Sequence, residues 1–438
     1  MDARRPIKVV AFGGGHGLAA SLKALRLCSP QLELDITAVV TVGDNGGSSG
    51  RLRAERDAQL PPGDLRMALA ALADDDPTHQ TTVRLMQHRF APVGNPDRRQ
   101  LAADLTSTGN TESRTGAPGP DNARMPDSAT PTGNTAESRD GALAHDNAAG
   151  PDNASPTGNT AESRDGAPAP DNAPAPQQAG AFQEADANPE GMSGWGDVDR
   201  RIAAVGGKHD PLAGHAVGNL LLLGLLELMD DPVDALAHAG NMVGAKGRVL
   251  PMACHAVGIE ADVRGADPAR PGDVVTVRGQ HAVAVASGHV EALRIVPSSP
   301  PACAAAVEAI GDADWLIFGP GSWYTSVLPH LLVPELAAAI VASPARRLVT
   351  MNLAADNETL GLSVADHLAT LHWYLPELHV DVVLADAKWV GEPDPVHRAA
   401  EVLGARLVLA PLAVADGSPK HDPESLGTAL VPLLGPDR

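Results

Sequence analysis

Short, largely apolar runs alternate along the chain with longer stretches in which apolar residues return at helical spacing. The first run covers 7–12 and stops at a glycine cluster, which predicts a buried strand. Residues 18–27 carry a helical repeat, 35–42 a second β-branched run, and 64–73 another helix. Further on, 217–229 and 232–242 read as helices, the first so apolar that burial is expected. From 248 to 296 the character changes to short alternating runs such as 273–278, which predict a small antiparallel unit. The runs 315–318, 348–351 and 380–384 read as three more buried strands. Strands alternating with helices predict an α/β fold built on a doubly wound, mostly parallel sheet. In such a sheet ligands sit at the carboxyl ends of the strands.

One stretch breaks the pattern. Residues 91–209 are rich in Ala, Pro, Gly, Asn, Asp and Thr and poor in large apolar side chains. The sequence TGNTAESRDG starting at Thr132 returns at Thr157, and a looser copy starts at Thr108. A solenoid repeat would carry an apolar face to stack on its neighbours. These copies carry none and cannot offset the entropy of ordering by burial, so the stretch is predicted to be disordered. The chain then divides into one nucleotide-binding domain, 1–90 with 210–438, and a long disordered insertion over 91–209.

Composition narrows the picture. Hydrophobic residues make up 43% of the chain but aromatics only 3%, so Leu, Val, Ile and Ala must fill the core. A net charge of −21 disfavours nonspecific binding to nucleic acid, which requires Lys and Arg against phosphate. No run reaches the ~20 apolar residues of a membrane helix, and the N-terminal run is too short for a signal peptide. A cytoplasmic protein without membrane insertion is expected. Cys28, Cys254 and Cys303 are far apart in sequence, odd in number and outside any CxxC pair, so all three are expected to be reduced.

The candidate chemistry lies on turns that follow strands. Gly13-Gly14-Gly15-His16-Gly17 stands between a strand and a helix, where glycines let the backbone approach a phosphate and the helix N-terminus offers free N–H groups. No Lys-Ser/Thr follows, so it is not a Walker loop. His16 either hydrogen-bonds a phosphate or has no role. In the turn over 41–51, Asp44 can hold a metal ion or a ribose hydroxyl, with Asn45 beside it. Gly46, Gly47, Ser48 and Ser49 can form a nest of donors, and Arg51 can pair with phosphate through two hydrogen bonds. Pro61-Pro62-Gly63-Asp64-Leu65-Arg66 reads as a turn with Asp64 as helix N-cap, and Asp64 and Arg66 as second contributors to the site. Asn219, opening the apolar helix, bonds either a base or sugar edge or the fold's own backbone. Gly319-Pro320-Gly321-Ser322-Trp323-Tyr324-Thr325-Ser326 is another strand–glycine–helix turn. Gly319, Gly321, Ser322 and Thr325 are candidates for phosphate, and Trp323 or Tyr324 for stacking. No Cys/His metal spacing or HExxH appears, and His367 and His372 read as structural.

Together these residues resemble the YvcK-like branch of the CofD/YvcK family of gluconeogenesis factors. The matching pieces run GGGHG, TVGDNGGSSGRLR, PPGDLR, GHAVGNLL, RVLP, GPGSWYTSVLPHLLVP and SVADHL, covering about 7–90 and 211 onward. The resemblance implies a Rossmann-like fold. It further implies a binder of UDP-sugars, notably UDP-N-acetylglucosamine, linked to cell shape and wall synthesis on gluconeogenic carbon sources. Such a regulator requires no cofactor and works through a downstream protein the sequence does not identify; a homo-oligomer is compatible with it. The CofD branch instead implies a 2-phospho-L-lactate transferase acting on a deazaflavin precursor with Mg²⁺. Where that family often carries paired aspartates this chain has Asp44-Asn45, which leaves Asp44 as the candidate metal ligand. Lys420-His421-Asp422 matches an element in which the family often has Arg, and this makes Lys420 a further candidate contact; Pro423 follows where relatives can carry Thr. A nicotinamide-dependent oxidoreductase is the third reading, and GGGHG departs from its GxGxxG fingerprint.

Overall fold

The structure is a computed structural model that describes residues 5–92, 210–354, 359 and 361–435. Its strands, in chain order, are β1 (Ile7–Gly13), β2 (Leu34–Val40), β3 (Arg248–Pro251), β4 (Gly258–Arg264), β5 (Val274–Arg278), β6 (His289–Val296), β7 (Trp315–Phe318), β8 (Arg346–Thr350), β9 (Val382–Asp386) and β10 (Arg406–Ala410). Seven of them form one sheet in the order β10-β9-β8-β7-β1-β2-β3. Every pairing in that sheet is parallel. The apolar runs explain this. Strands covered by helices on both faces have no polar side, and β7 and β9 are buried at every residue. The alternating stretch forms the second sheet, β5-β4-β6, with antiparallel pairings. The expected doubly wound sheet with a small antiparallel unit is therefore what the chain forms.

The helices used below are α1 (Gly15–Leu27), α2 (Gly47–Arg56), α3 (Pro62–Leu72), α4 (Pro77–Gln87), α5 (Val217–Leu228), α6 (Pro232–Met242), α7 (Gln280–Val285) and α8 (Ala304–Gly311). The core matches the aromatic-poor composition: Leu, Val, Ile and Ala fill it, around a few large rings. Phe12 of β1 and Phe318 of β7 stack at 4.7 Å across the centre of the sheet. The described residues fall in one unit, Met1–Gln100 with Lys208–Arg438. Apart from residues 91 and 92, the predicted insertion lies outside the described residues.

Three local readings change. Gly47 to Arg51, read as part of a turn, instead open α2. Tertiary bonds outweigh the poor helix propensity of Gly-Ser-Ser-Gly: Ser48 and Ser49 are buried and bonded to His215 and Gly63. Asp64 is not the cap of α3, because the helix starts two residues earlier at Pro62, whose missing N–H suits a first turn. The apolar α5 buries Leu222 and Leu223 but leaves Leu228 82% exposed, so only one face is covered. Among the described residues no helix is long and apolar enough to cross a membrane.

Candidate functional site

The chain leaves β1 toward β2 on one side of the sheet and leaves β7 toward β8 on the other. Strand order thus reverses between β1 and β7, and a crevice opens where their two carboxyl ends diverge. The first and last glycine turns of the sequence meet there. A Cβ on Gly17 would lie 2.2 Å from the Pro320 carbonyl oxygen, and one on Gly14 would lie 2.6 Å from both Asp64 Oδ2 and Thr41 Oγ1. Only glycine lets these backbones close in. Gly14 caps α1 with no side-chain hydrogen bond and no acidic residue follows in the first turn. The Gly15 N–H at the start of α1 hydrogen-bonds the Asp64 carboxyl, and the positive end of the helix dipole faces the crevice.

The cavity at this crevice has a volume of about 1320 Å³. Gly14, Gly15, His16 and Gly17 line it, with Asp64 and Arg66 of α3, Gly321, Ser322 and Thr325 after β7, and Lys420. These are the predicted residues that the fold brings together. The lining also includes residues that sequence reasoning missed: Lys23, Gln87, Arg89, Gln280, Ser326, Asn352 and His421. Lys23 had a usable signal, since it lies seven residues after His16 and so on the same face of α1. Asn352 also had one, standing just past the carboxyl end of β8. Gln87 and Arg89 adjoin the composition break and carried no motif.

The remaining predicted residues lie behind this wall. Gly13 and Gly319 belong to the strand ends, and Asp44, Asn45, Gly46, Gly47, Ser48 and Ser49 are not among the lining. Asp44 Oδ1 accepts the Gly46 N–H at 2.8 Å, and Asn45 Oδ1 accepts that of His281 at 2.9 Å. Arg51 donates to the carbonyls of Ala213 (2.8 Å) and Pro211 (2.9 Å), away from the lining residues. Asn219 is buried in a relay. Its Oδ1 accepts from Arg66 Nε at 2.8 Å, its Nδ2 donates to Ser48 Oγ at 2.9 Å, and that oxygen meets His215 Nδ1 at 2.9 Å. Trp323 and Tyr324 are buried and line no cavity wall, so the expected stacking platform is instead part of the core.

The charge of the cavity is opposite to that of the chain. Lys23, Arg66, Arg89 and Lys420 line it, and Asp64 is the only carboxylate among the lining residues. Burial, and then the nearby Asp44 charge, push the Asp64 carboxyl up to about 7, against the hydrogen bond from Thr41. Burial and the neighbouring Arg89 draw Arg66 down to about 10, which leaves it charged at neutral pH. Gln87 accepts a second hydrogen bond from the Arg66 guanidinium and holds it at the wall. Burial holds His421 down at about 4, so its ring is neutral. Asn352 fixes the second turn from both sides, accepting the Gly321 N–H at 2.9 Å and donating to the Gly321 carbonyl at 2.7 Å. Among the described residues no three His, Cys, Asp or Glu side chains converge as a metal-ligand set.

The chain is similar to known proteins. The family model described as 2-phospho-L-lactate transferase CofD matches residues 9–401. A Mycobacterium tuberculosis protein, provisionally named a gluconeogenesis factor, is 36% identical over 426 residues, 96% of this chain and 89% of its own. The gluconeogenesis factor of Bacillus subtilis is 25% identical over 402 residues, 92% of this chain and 84% of its own. A crystal structure of a UPF0052 family member from Bacillus halodurans superposes with a TM-score of 0.62 at 23% identity, covering 98% of this chain and 100% of that one. That likeness is one of fold.

Proposed function

The chain belongs to the CofD family, and we propose that it is a gluconeogenesis factor that works by binding a UDP-sugar, of the UDP-N-acetylglucosamine type, in the crevice between β1 and β7. The observation that carries this reading is the cluster of Lys23, Arg66, Arg89 and Lys420 around one cavity in a chain of net charge −21. A protein with that balance repels anions in general, so four cations facing one cleft mark a place where an anion is wanted. The diphosphate would rest on the glycine turn at the start of α1, with Arg66 and Arg89 on its flank. Ser322 and Thr325 would offer hydroxyls to the sugar or ribose. Asp64, with its carboxyl raised to about 7, would add no full negative charge opposite the phosphates at neutral pH. Bound UDP-sugar would then report wall-precursor supply to a downstream protein in the cytoplasm and so influence cell shape.

A second reading is favoured by one observation, the electrostatic coupling of Asp64 to Asp44. Two neighbouring carboxylates suit Mg²⁺, as the transferase branch would require. Calorimetric titration with UDP-N-acetylglucosamine, GDP, NAD and a deazaflavin, each with and without Mg²⁺, separates the two. Micromolar binding of the UDP-sugar without metal is expected. Binding confined to GDP or deazaflavin in the presence of Mg²⁺ would transfer the assignment to the transferase.

A further inference from the structure

The segment that follows β8 lines two cavities. Asn352, Leu353 and Ala354 belong to the wall of the crevice and also to that of a second cavity, of about 570 Å³, at the carboxyl ends of β8 and β9. That volume lies within the roughly 300–1,000 Å³ of small-ligand pockets. The shared strip is held firmly. The Met351 N–H donates to the Leu384 carbonyl at 2.9 Å, and Asn352 spends both ends of its amide on Gly321. The turn after β9 supplies Trp389 and Val390, whose N–H groups are tied to Asp386, the first to Oδ1 at 3.3 Å and the second to the carbonyl at 3.0 Å.

The two cavities differ in chemistry. Four cations line the crevice, whereas among the described residues no Lys or Arg lines the second cavity and Glu392 is its only carboxylate. Met351, Leu353, Val390 and Val396 are buried beneath it, and Trp389 is half-buried beside them. Its polar side chains are engaged already: Ser363 Oγ donates to Asp366 at 2.7 Å, and His367 Nδ1 meets the Ser363 carbonyl at 2.7 Å. A phosphate finds no cation there, and a sugar finds few partners for its hydroxyls. What suits these walls is a flat, uncharged ring that buries its faces against apolar and aromatic side chains. Ser363 and Glu392, both exposed, stand at the mouth, where the polar edge of such a ring stays in water.

We propose that the second cavity receives the uracil ring of the UDP-sugar, stacked on Trp389. This assignment rests on the UDP-sugar reading above and adds the ligand's orientation. The diphosphate lies on the glycine turn of α1, the ribose crosses the strip 352–354, and the sugar stays in the crevice. One ligand with a charged middle and an uncharged flat end thereby matches two adjoining cavities of opposite character. A separate molecule in the second cavity would share the strip 352–354 with the nucleotide and compete for it.

The test is calorimetry of the full chain with UDP-N-acetylglucosamine, UDP and inorganic pyrophosphate. Stacking of a base on an aromatic ring is worth enough that Trp389→Ala should weaken UDP and the UDP-sugar by the same factor, roughly 5- to 100-fold. Pyrophosphate, which has no base, should bind the variant within about twofold of wild type. Trp389→Phe keeps a ring and should stay within about threefold for all three ligands. Should Trp389→Ala fail to fold, Ala365→Phe decides. Ala365 is half-buried and lines the second cavity, and a ring there fills the space meant for the base. It should weaken UDP and spare pyrophosphate. UDP affinity left unchanged by the folded variants, or pyrophosphate affinity lost in equal measure, overturns the base site while the UDP-sugar reading stands. A wild-type protein that binds neither UDP nor the UDP-sugar overturns both.

Discussion

Gly17 of α1 lies so close to Pro320 that a Cβ at residue 17 would stand 2.2 Å from the Pro320 carbonyl oxygen and 2.6 Å from the Gly321 Cα. Both neighbours are backbone and cannot swing aside. Gly17→Ala must therefore push apart the two turns that form the crevice, at a cost of about 1–3 kcal/mol as for other overpacked sites. A lower Tm and a UDP-sugar affinity reduced at least tenfold are expected from thermal shift and calorimetry. Gly224→Ala is the matched control. Nothing lies within 4 Å of that position in α5, so alanine should gain about 0.5–1 kcal/mol from helix propensity alone. Equal effects of the two substitutions would show that the turns are not in contact.

The Asp64 carboxyl gives the protein a pH dependence of definite sign. Its folded value of about 7 exceeds the ordinary carboxylate value, so the folded state holds this proton more tightly than the unfolded chain. Stability from this group is full below about pH 4 and declines as pH rises toward 7, where the folded state ionises too. Thermal melts of Asp64→Asn should lack this part of the decline and exceed wild type most clearly near pH 8. Affinity for the anionic ligand should fall in the wild type between pH 6 and 8 and stay level in the variant. A wild-type Tm that rises across pH 5–7 relative to Asp64→Asn would contradict the burial of an uncompensated carboxyl.

Arg51 is the leading candidate in the sequence and Arg66 a second contributor, and the fold sets them in different places. Arg66 is 4% exposed and lines the cavity, positioned by Asn219 and Gln87. Arg51 spends its hydrogen bonds on Pro211 and Ala213. Removing a charge-assisted contact to phosphate costs about 1.5–3 kcal/mol, so Arg66→Ala should weaken UDP-sugar binding roughly 10- to 100-fold. Arg51→Ala should change affinity less than about threefold and act on Tm instead, by loosening the chain at 211–213. The reverse order in a titration series would return the Arg51 side chain to the site.

What the sequence made legible follows from period and punctuation. The runs 7–12 and 315–318 are too apolar and too sharply bounded by glycines to be anything but central strands, and their turns do meet. The same reading could not separate the wall of the crevice from the layer behind it. Ser48, Asn219 and His215 look like ligand groups in a sequence, yet they bond one another and support Arg66. Arg89 and Lys23 look like solvated surface charges and are indeed exposed, and only the packing of α1 against α3 places them on the rim of one cavity. Tyr324 and Trp323 follow a glycine turn, as stacking residues would, but a π-helical turn folds them into the core. Side-chain direction is set by tertiary packing, which a one-dimensional pattern does not contain.

Asp386, which ends β9, carried no motif and yet fixes the segment that delivers Lys420. Oδ1 accepts the N–H groups of Lys388 (2.8 Å) and Trp389 (3.3 Å), and Oδ2 those of Leu412 (2.6 Å) and Ala413 (3.1 Å). The Leu412 carbonyl in turn accepts the Asp422 N–H at 2.8 Å, and the Val414 N–H donates to the Lys420 carbonyl at 2.9 Å. Burial alone would push this carboxyl up, but the four backbone donors together outweigh it and hold it below the usual carboxylate range. A depressed folded value means stability that is present above the unfolded value near 4 and lost as pH falls. Asn at this position keeps the shape but turns an amide N–H₂ toward two backbone donors. Asp386→Asn should therefore cost about 2–4 kcal/mol. It should also weaken UDP-sugar binding, because the turn carrying Lys420 loses its anchor, and it should flatten the acid limb of the Tm–pH curve. A variant with wild-type Tm at pH 7 and unchanged affinity would separate Asp386 from the cleft and leave Lys420 positioned by the Asp422-capped helix alone.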